Sequence, residues 1–355
     1  MAQVAAPQVS PVLRRGYVPG MAMKALSKAT IYQVAQRAGV SIATVSRALR
    51  DSELVTAATR ERVRAAADEL RFTPSRLGRS LAEGRHAANG IVFPDLVGPY
   101  YAEVVLGYES AAAKLGSSVL ILATNGRPDA DAAVRELAGR VDGLTVMGQT
   151  VGDDLIASLA LPVVLLARDP VAGIDTVRAE NERTARALAE HLASHGHRRF
   201  VFLGDPEGSP DVAGRYAGVR SGLAGCRVGP PSLVPSHGFD LEAGERAGRD
   251  LIAPGLAVMC ANDELALGVL LAAEAAGLRV PEDLAVTGWD DLLAARFARL
   301  TTVRQPMRDL GATAARWLDR RITSTDHPAA ARRRILPTQL VVRRSCGIHS
   351  PEVPS

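Results

Sequence analysis

The sequence predicts a small α-helical head of helix-turn-helix type, followed by an α/β core of two doubly wound parallel-sheet lobes. Three observations predict it. Between residues 30 and 70 apolar side chains recur at helical spacing around a tight "AGVS" corner at 38–41. From Asn89 onward, short Val- and Leu-rich runs alternate with helical stretches. The chain has 355 residues, 47% of them apolar, which is enough to bury more than one core.

In the head, Thr30 is the expected N-cap of a first helix whose stripe is Ile31, Val34, Ala35 and Ala38. Gly39 ends that helix, because the turn needs a left-handed backbone that glycine adopts at little cost. Ser41 caps a second helix with Val45, Ala48 and Leu49 facing inward. A third helix starts at Thr56 or Thr59 and buries Val63, Ala66, Ala67 and Leu70. Short helices with a four-residue corner between the first two make a helix-turn-helix.

The charge divides along the chain. Residues 24–86 hold 12 Lys/Arg against 6 Asp/Glu, a net of +6, and the arginine pair in the first 20 residues adds +2. With +4 overall, residues 87–355 carry −4. A basic head on an acidic body suits a polyanionic partner.

The second helix leaves Ile42, Ala43, Thr44, Ser46 and Arg47 outside its apolar stripe. In this motif that face enters the DNA major groove. Arg47 can donate two hydrogen bonds to guanine, worth roughly 1–3 kcal/mol of discrimination, and Ile42 and Ala43 can meet thymine methyls. Ser41, Thr44, Ser46, Thr56 and Thr59 are short hydroxyls suited to phosphate oxygens. An ordinary helical bundle leaves the outward Ile42 and the basic excess unexplained.

The stretch "ATIYQVAQRAGVSIATVSRALRDSELVTAATRERVRAAADELRFTPSRLGRSL", residues 29–81, resembles the DNA-binding headpiece of the LacI/GalR family of bacterial transcription regulators. The resemblance implies that positions 42 and 43 choose the operator, that Arg47 reads a base, and that Tyr32 contacts the backbone, with Thr30 beside it. "TPSRLGRSLAE" resembles the family's hinge helix, which implies DNA contacts from Ser75 and Arg79 and a minor-groove wedge at Leu81. Gln33, Arg50, Phe72, Ser75 and Gly78 depart from the family's usual Asp, Asn, Tyr, Asn and Ala. Phe72 lacks a phosphate-reaching hydroxyl, and Gly78 weakens an isolated hinge helix by up to about 1 kcal/mol.

The body runs are "GIVFPDL", "SVLILATN", "DGLTVMG", "PVVLLARD", "RFVFLGD", "GLAVMCAND" and "DLAVTGWDD". Helices between them imply sheets covered on both faces, with two lobes favoured over a closed barrel by the missing eighth regular unit. Ligands of such sheets bind beyond the C-terminal strand ends, where polar and aromatic residues gather here. The body is similar to the family's effector-binding core, a fold of the type I periplasmic sugar-binding proteins. "PYYAEVVLGYE", "HGHRRFVFLG", "CANDELALGVLLAAEAAGLRVPEDLAVTGWDD" and "LTTVRQP" carry that similarity. By position, Tyr100, Tyr101, Arg168, Asp211, Arg215, Met259 and Asp290 fall where relatives touch effectors. Met259 replaces a common phenylalanine. The structural alternatives are that the tyrosines cap the sheet, Arg215 locks a loop through Asp211, and Asn262-Asp263 stabilises a turn and helix start.

These readings divide the chain into a disordered tail (1–27), helix-turn-helix domain (28–73), hinge helix and linker (74–86), two-lobed effector-binding and dimerisation domain (87–345) and C-terminal tail (346–355). Met21 and Met23, just ahead of the first patterned segment, are candidate translation starts beside Met1. Three cysteines without a paired motif suit a reducing cytoplasm, and no apolar run reaches membrane-spanning length. The N-terminal stretch lacks the order of a signal peptide. "HGH" at 195–197 reads as a helix C-cap rather than a metal site, and Cys260 as a packing residue at a strand end. No phosphate-cradling lysine loop, nucleophile elbow or HExxH is present, so neither enzyme chemistry, cofactor nor metal is expected. The expected partners are pseudopalindromic double-stranded operator DNA, a small-molecule effector with a sugar favoured, and a second copy of the chain, with no membrane. No heptad repeat after Arg344 supports a tetramer. The competing reading is a solute-binding protein or sugar-processing enzyme with an incidental basic extension.

Overall fold

Thr30 starts the head because its side chain and that of Gln33 close a reciprocal cap. Its Oγ1 accepts from the Gln33 amide at 3.4 Å, and Gln33 Oε1 accepts from the Thr30 N–H at 2.8 Å. Helix α1 (Ile31–Ala38) ends at Gly39, whose φ of 65° is the left-handed turn expected of it. Ser41 opens α2 (Ile42–Ala48) by accepting the Thr44 amide at 3.1 Å. Of the two candidate caps for α3 (Ala57–Glu69), Thr56 is the one used, accepting the Thr59 amide at 3.4 Å. Val34, Val45, Val55 and Val63 with five alanines form the core, and Ile31, Leu49, Leu70 and Phe72 pack around it.

The computed structural model describes residues 29–49, 52–72, 85–324 and 330–347, which fall into two compact units divided at Arg79/Ser80. The tail at 1–27, Arg50, most of the hinge (73–84) and the final residues lie outside the described residues.

The body begins with β1 (Ala88–Phe93), α4 (Pro99–Lys114), β2 (Ser118–Ala123), α5 (Ala130–Ala138), β3 (Gly143–Met147), α6 (Asp153–Ser158), β4 (Val163–Leu166) and β5 (Asp175–Ala179). It continues with α7 (Glu182–Ser194), β6 (Arg199–Leu203), α8 (Pro210–Gly225), β7 (Ser232–Val234), α9 (Leu241–Leu251), β8 (Leu256–Cys260), α10 (Asp263–Ala275), β9 (Ala285–Thr287), α11 (Leu293–Phe297) and β10 (Thr302–Arg304). Helix α12 (Met307–Thr323), β11 (Arg333–Leu336) and β12 (Gln339–Val341) complete it.

Two parallel sheets result. The first lobe has the order β11-β5-β4-β3-β1-β2 and the second β7-β6-β8-β9, with β10 and β12 forming an antiparallel pair. The chain passes from first lobe to second after β5, returns after β10 to lay α12 on α4 and β3–β5, and crosses again after β11. Each lobe is wrapped by helices on both faces, as the alternating pattern predicts.

Strands β5, β7, β10, β11 and β12 are absent from the sequence reading, and their composition explains it. β5 is "DTVRA" and β11 "RRIL", too polar to read as buried strands. In β5 the buried charge is paired: Asp175, 1% exposed, takes Arg321 of α12 at 2.6 Å and Arg332, just before β11, at 2.7 Å. Burial alone would raise the Asp175 carboxyl, but hydrogen bonds from the two arginines hold it down at about 2.

With aromatics at only 4%, the body packs helices by close approach rather than large rings. A Cβ at Gly107 of α4 would run into the Arg308 carbonyl of α12, and one at Gly311 into the Val104 carbonyl. Gly218 and Gly222 make the same notch between α8 and α7, and Gly244 and Gly268 between α9 and α10. Each lobe is thereby a tight body that presents its strand ends to the other.

Candidate functional site

The head offers one face. Ile42 is 39% exposed and Tyr32 69%, and Ala43 and Arg47 are exposed beside them. Thr44 and Ser46 are half-buried. The expected phosphate hydroxyls work first as caps: Ser41 Oγ and Thr44 Oγ1 share a hydrogen bond at 2.9 Å, as do Thr56 and Thr59 at 3.0 Å. Each pair still leaves one proton for an outside acceptor. None of the three head helices has an acidic residue in its first turn. Seven of the nine described body helices do, from Asp131 of α5 to Asp309 of α12. The positive helix ends of the head are therefore left for an anion from outside. Phe72 turns onto the head's core. Ser75, Arg79 and Leu81 lie outside the described residues.

In the body, the strand ends of the two lobes enclose a cleft of about 510 Å³. Tyr100 and Tyr101 open α4 and stack edge to face at 5.4 Å, and Tyr101 meets Phe93 at 5.8 Å. They both cover the first sheet and line the cleft, so the two readings of them coexist. From the second lobe, Asp211 stands in the first turn of α8, where the helix end favours a carboxylate. Arg215 does not lock that loop through Asp211. Its Nε donates to Asn181 Oδ1 at 2.9 Å, its Nη1 to the Ala261 carbonyl at 2.6 Å, and its plane lies 4.7 Å over Trp289. Asn181 in turn donates to Asp211 Oδ1 at 2.9 Å, so one amide aligns both charged groups.

Asp290 follows β9 with φ 121° and Asp291 with φ 59°, two non-glycine residues in the left-handed region. Such backbone persists where its surroundings fix it. Here the Asp290 N–H is held by the Val303 carbonyl at 2.7 Å, and Asp291 accepts from Arg304 at 2.7 Å and from Arg343. The strain turns the Asp290 carboxylate into the cleft, where Gln305 Nε2 donates to it at 2.6 Å. Burial pushes the Asp290 carboxyl up to about 7; Arg215 and Gln305 oppose that rise, and Glu264 and Asp211 add to it. Burial likewise raises Asp211 against the pull of Arg215, and raises Tyr100, with Asp211 and Asp290 adding.

Two expected effector residues do not reach the cleft. Arg168 folds back on its own lobe, donating to the Val151 carbonyl at 3.1 Å and pairing with Asp153. Met259 points into the second lobe's core at 1% exposure. Phe239, from the loop before α9, supplies a ring to the cleft instead. Asn262 caps α10 through the Leu265 amide at 2.9 Å, and it also lines the cleft. Asn125, Gln149, Asp240, Glu264 and Gln305 line it too, though the sequence reading passed them over. Asn125 and Gln149 stand two residues past β2 and β3, so the strand-end rule applied to every apolar run finds those two, whereas Gln305 follows β10, a strand the sequence does not announce. Among the described residues, no group of three His, Cys, Asp or Glu side chains is arranged to hold a metal ion, and no helix is long and apolar enough to cross a membrane.

Residues 30–75 match the family model "Bacterial regulatory proteins, lacI family", and residues 189–346 match "Periplasmic binding protein-like domain". The HTH-type transcriptional repressor CytR of Escherichia coli strain K12 is 33% identical over 304 residues, covering 82% of this chain and 89% of CytR. The chain belongs to the LacI family. The family's transcriptional regulator DegA of Bacillus subtilis strain 168 is 32% identical over 335 residues, 90% of this chain and 98% of its own. Among solved structures of LacI-type regulators, the Lac repressor dimer bound to operator and the anti-inducer ONPF superimposes with a TM-score of 0.80 at 29% identity. That match covers 91% of this chain and all of the other. The CelR–cellobiose complex superimposes at 0.65 and 29% identity, covering 90% and 100%. As a LacI-family regulator, the protein joins a DNA-binding helix-turn-helix to a periplasmic-binding-protein-like α/β core.

Proposed function

We propose that this LacI-family protein is a cytoplasmic repressor that binds a pseudopalindromic operator as a homodimer and changes its DNA affinity when a small molecule occupies the cleft. The observation that carries this is the outward face of α2, with Ile42, Ala43 and Arg47 exposed on a head whose three helices carry no acid in their first turns. Arg47 would read a base and Ile42 and Ala43 would select the sequence, while Tyr32, Thr30 and the capping hydroxyls hold phosphates. Ser75, Arg79 and Leu81 would extend the contact through the hinge, and residues 74–86 link the DNA-binding part to the body.

A homodimer is supported by large apolar side chains left outside on both lobes: Leu106 and Ile121 on the first, Leu293 and Phe297 on the second. The body is read as a ligand receptor rather than an enzyme. Rings of Tyr100, Tyr101 and Phe239 with the polar groups of Asn125, Gln149, Asp211, Arg215 and Asp290 suit a polyhydroxylated ligand. Binding can move the operator equilibrium only by its differential affinity for two arrangements of the lobes, typically 1–3 kcal/mol.

Selection of bound duplexes from a random pool tests the reading. It should return a two-fold symmetric site whose affinity falls steeply with salt. A pool that never enriches a palindrome removes the operator reading.

A further inference from the structure

The side chains lining the cleft include five carboxylates, Asp95, Asp211, Asp240, Glu264 and Asp290, and one guanidinium, that of Arg215. Arg215 is engaged by Asn181, the Ala261 carbonyl and the Trp289 face, and forms no ion pair with any of the five. Asp211 has Asn181 and, at 3.9 Å, Arg178. Asp240 caps α9 through the Ala243 amide at 2.7 Å, and Asp95 accepts the Val97 amide at 3.1 Å. Glu264 accepts no hydrogen bond and meets no cation among the described residues. Its carboxyl leans across from the second lobe to Gly98 of the first, where a Cβ would collide with it. Burial, Asp240 and Asp95 all push it up.

A second observation at the same place is the side chain of Gln305. It is 4% exposed and lines the cleft, and while its Nε2 serves Asp290, its Oε1 has no donor. A buried acceptor without a donor is costly, and so is an uncompensated carboxylate. One group answers both needs: a cation that carries N–H donors. An anionic ligand is opposed by the same acids, and a neutral polyol leaves their charge uncompensated.

We propose that the effector is a polyhydroxylated molecule bearing a protonated amine, an amino sugar in chemical class, whose ammonium is held by Glu264 and Asp290 and donates to Gln305 Oε1. The inference rests on the cleft being the effector site, and it narrows the ligand to a cationic class. The aromatic rings and Asn125 and Gln149 address the rest of the sugar.

Calorimetry on the full-length protein at pH 7 with three matched pairs tests this: D-glucosamine and D-glucose, D-galactosamine and D-galactose, D-mannosamine and D-mannose. At least one amine should bind tenfold or more tighter than its hydroxyl counterpart. Glu264→Gln should bring that ratio close to one. Amines that bind no tighter than their counterparts in all three pairs overturn the proposal, as does a preference that survives Glu264→Gln. Operator affinity is read separately on the selected duplex. An amine that binds with the stated preference yet leaves operator affinity unmoved supports the ligand class and counts against the regulatory reading.

Discussion

Asp290 and Gln305 meet at 2.6 Å, one leaving β9 and the other β10, so that two strand ends share a single buried hydrogen bond inside the cleft. Burial raises the Asp290 carboxyl to about 7, against roughly 3.9 in an unfolded chain. The folded form therefore keeps a proton that the unfolded form has already released. The stability this contributes is complete below about pH 4 and is lost as pH rises through 7. Asp290→Asn, which cannot ionise, should gain on the wild type between pH 5 and pH 8, with a ceiling of about 4 kcal/mol from a three-unit shift. Urea unfolding at several pH values measures it, and a flat difference would mean that Asp290 ionises freely in the fold.

Asp175 runs the other way. Arg321 and Arg332 hold it at about 2, below its unfolded value, so its stabilisation is present above pH 4 and lost as pH falls through 2. Asp175→Asn should cost about 2 kcal/mol at pH 7, because two half-buried arginines lose their shared carboxylate. The difference from wild type should close as the medium approaches pH 2, read by thermal or urea unfolding.

Arg47→Ala removes the one long cation on the outward face of α2. Preference for the selected operator over a scrambled duplex should drop by roughly 1–3 kcal/mol, about five- to 150-fold, while weak salt-dependent binding persists. Fluorescence anisotropy on both duplexes reads the two quantities together. Unchanged preference moves sequence reading to another residue.

The glycine notches predict a stability contrast. Gly107→Ala drives a methyl into the Arg308 carbonyl, and because the obstacle is backbone it should cost at least 1–3 kcal/mol. Gly152→Ala meets nothing within 4 Å and sits at φ −68°, so it should be neutral or gain a few tenths of a kcal/mol. Equal effects in urea would show that α4 and α12 can part without loss.

The head was legible nearly to the residue, because its caps and stripes are local: Thr30, Gly39 and Ser41 do in space what their types dictate in sequence. The lobes were legible as a class, since β1, β3, β4 and β8 are uninterrupted apolar runs. β5 was not, because burial of its Asp175 depends on charges that pair across 146 and 157 positions of sequence, and β11 was not, because it is an edge strand with three of its four residues exposed. The cleft was half legible. Asp290 and Arg215 line the cleft as expected, whereas Arg168 turned away to Asp153, Met259 turned into the second lobe's core, and Phe239 supplied an unforeseen ring. Side-chain direction at a loop is decided by contacts that no spacing rule contains.

The distribution of acids among helix starts has a further consequence. A chain rich in arginine and helices tends to adhere to nucleic acid along its whole length, and adhesion without direction slows any search for one site. Here seven of the nine described body helices start on their own carboxylates, from Asp131 of α5 to Asp309 of α12. None of the three described head helices does. The head's helix starts are thereby left freer for a polyanion than most of the body's, which favours contact through the helix-turn-helix.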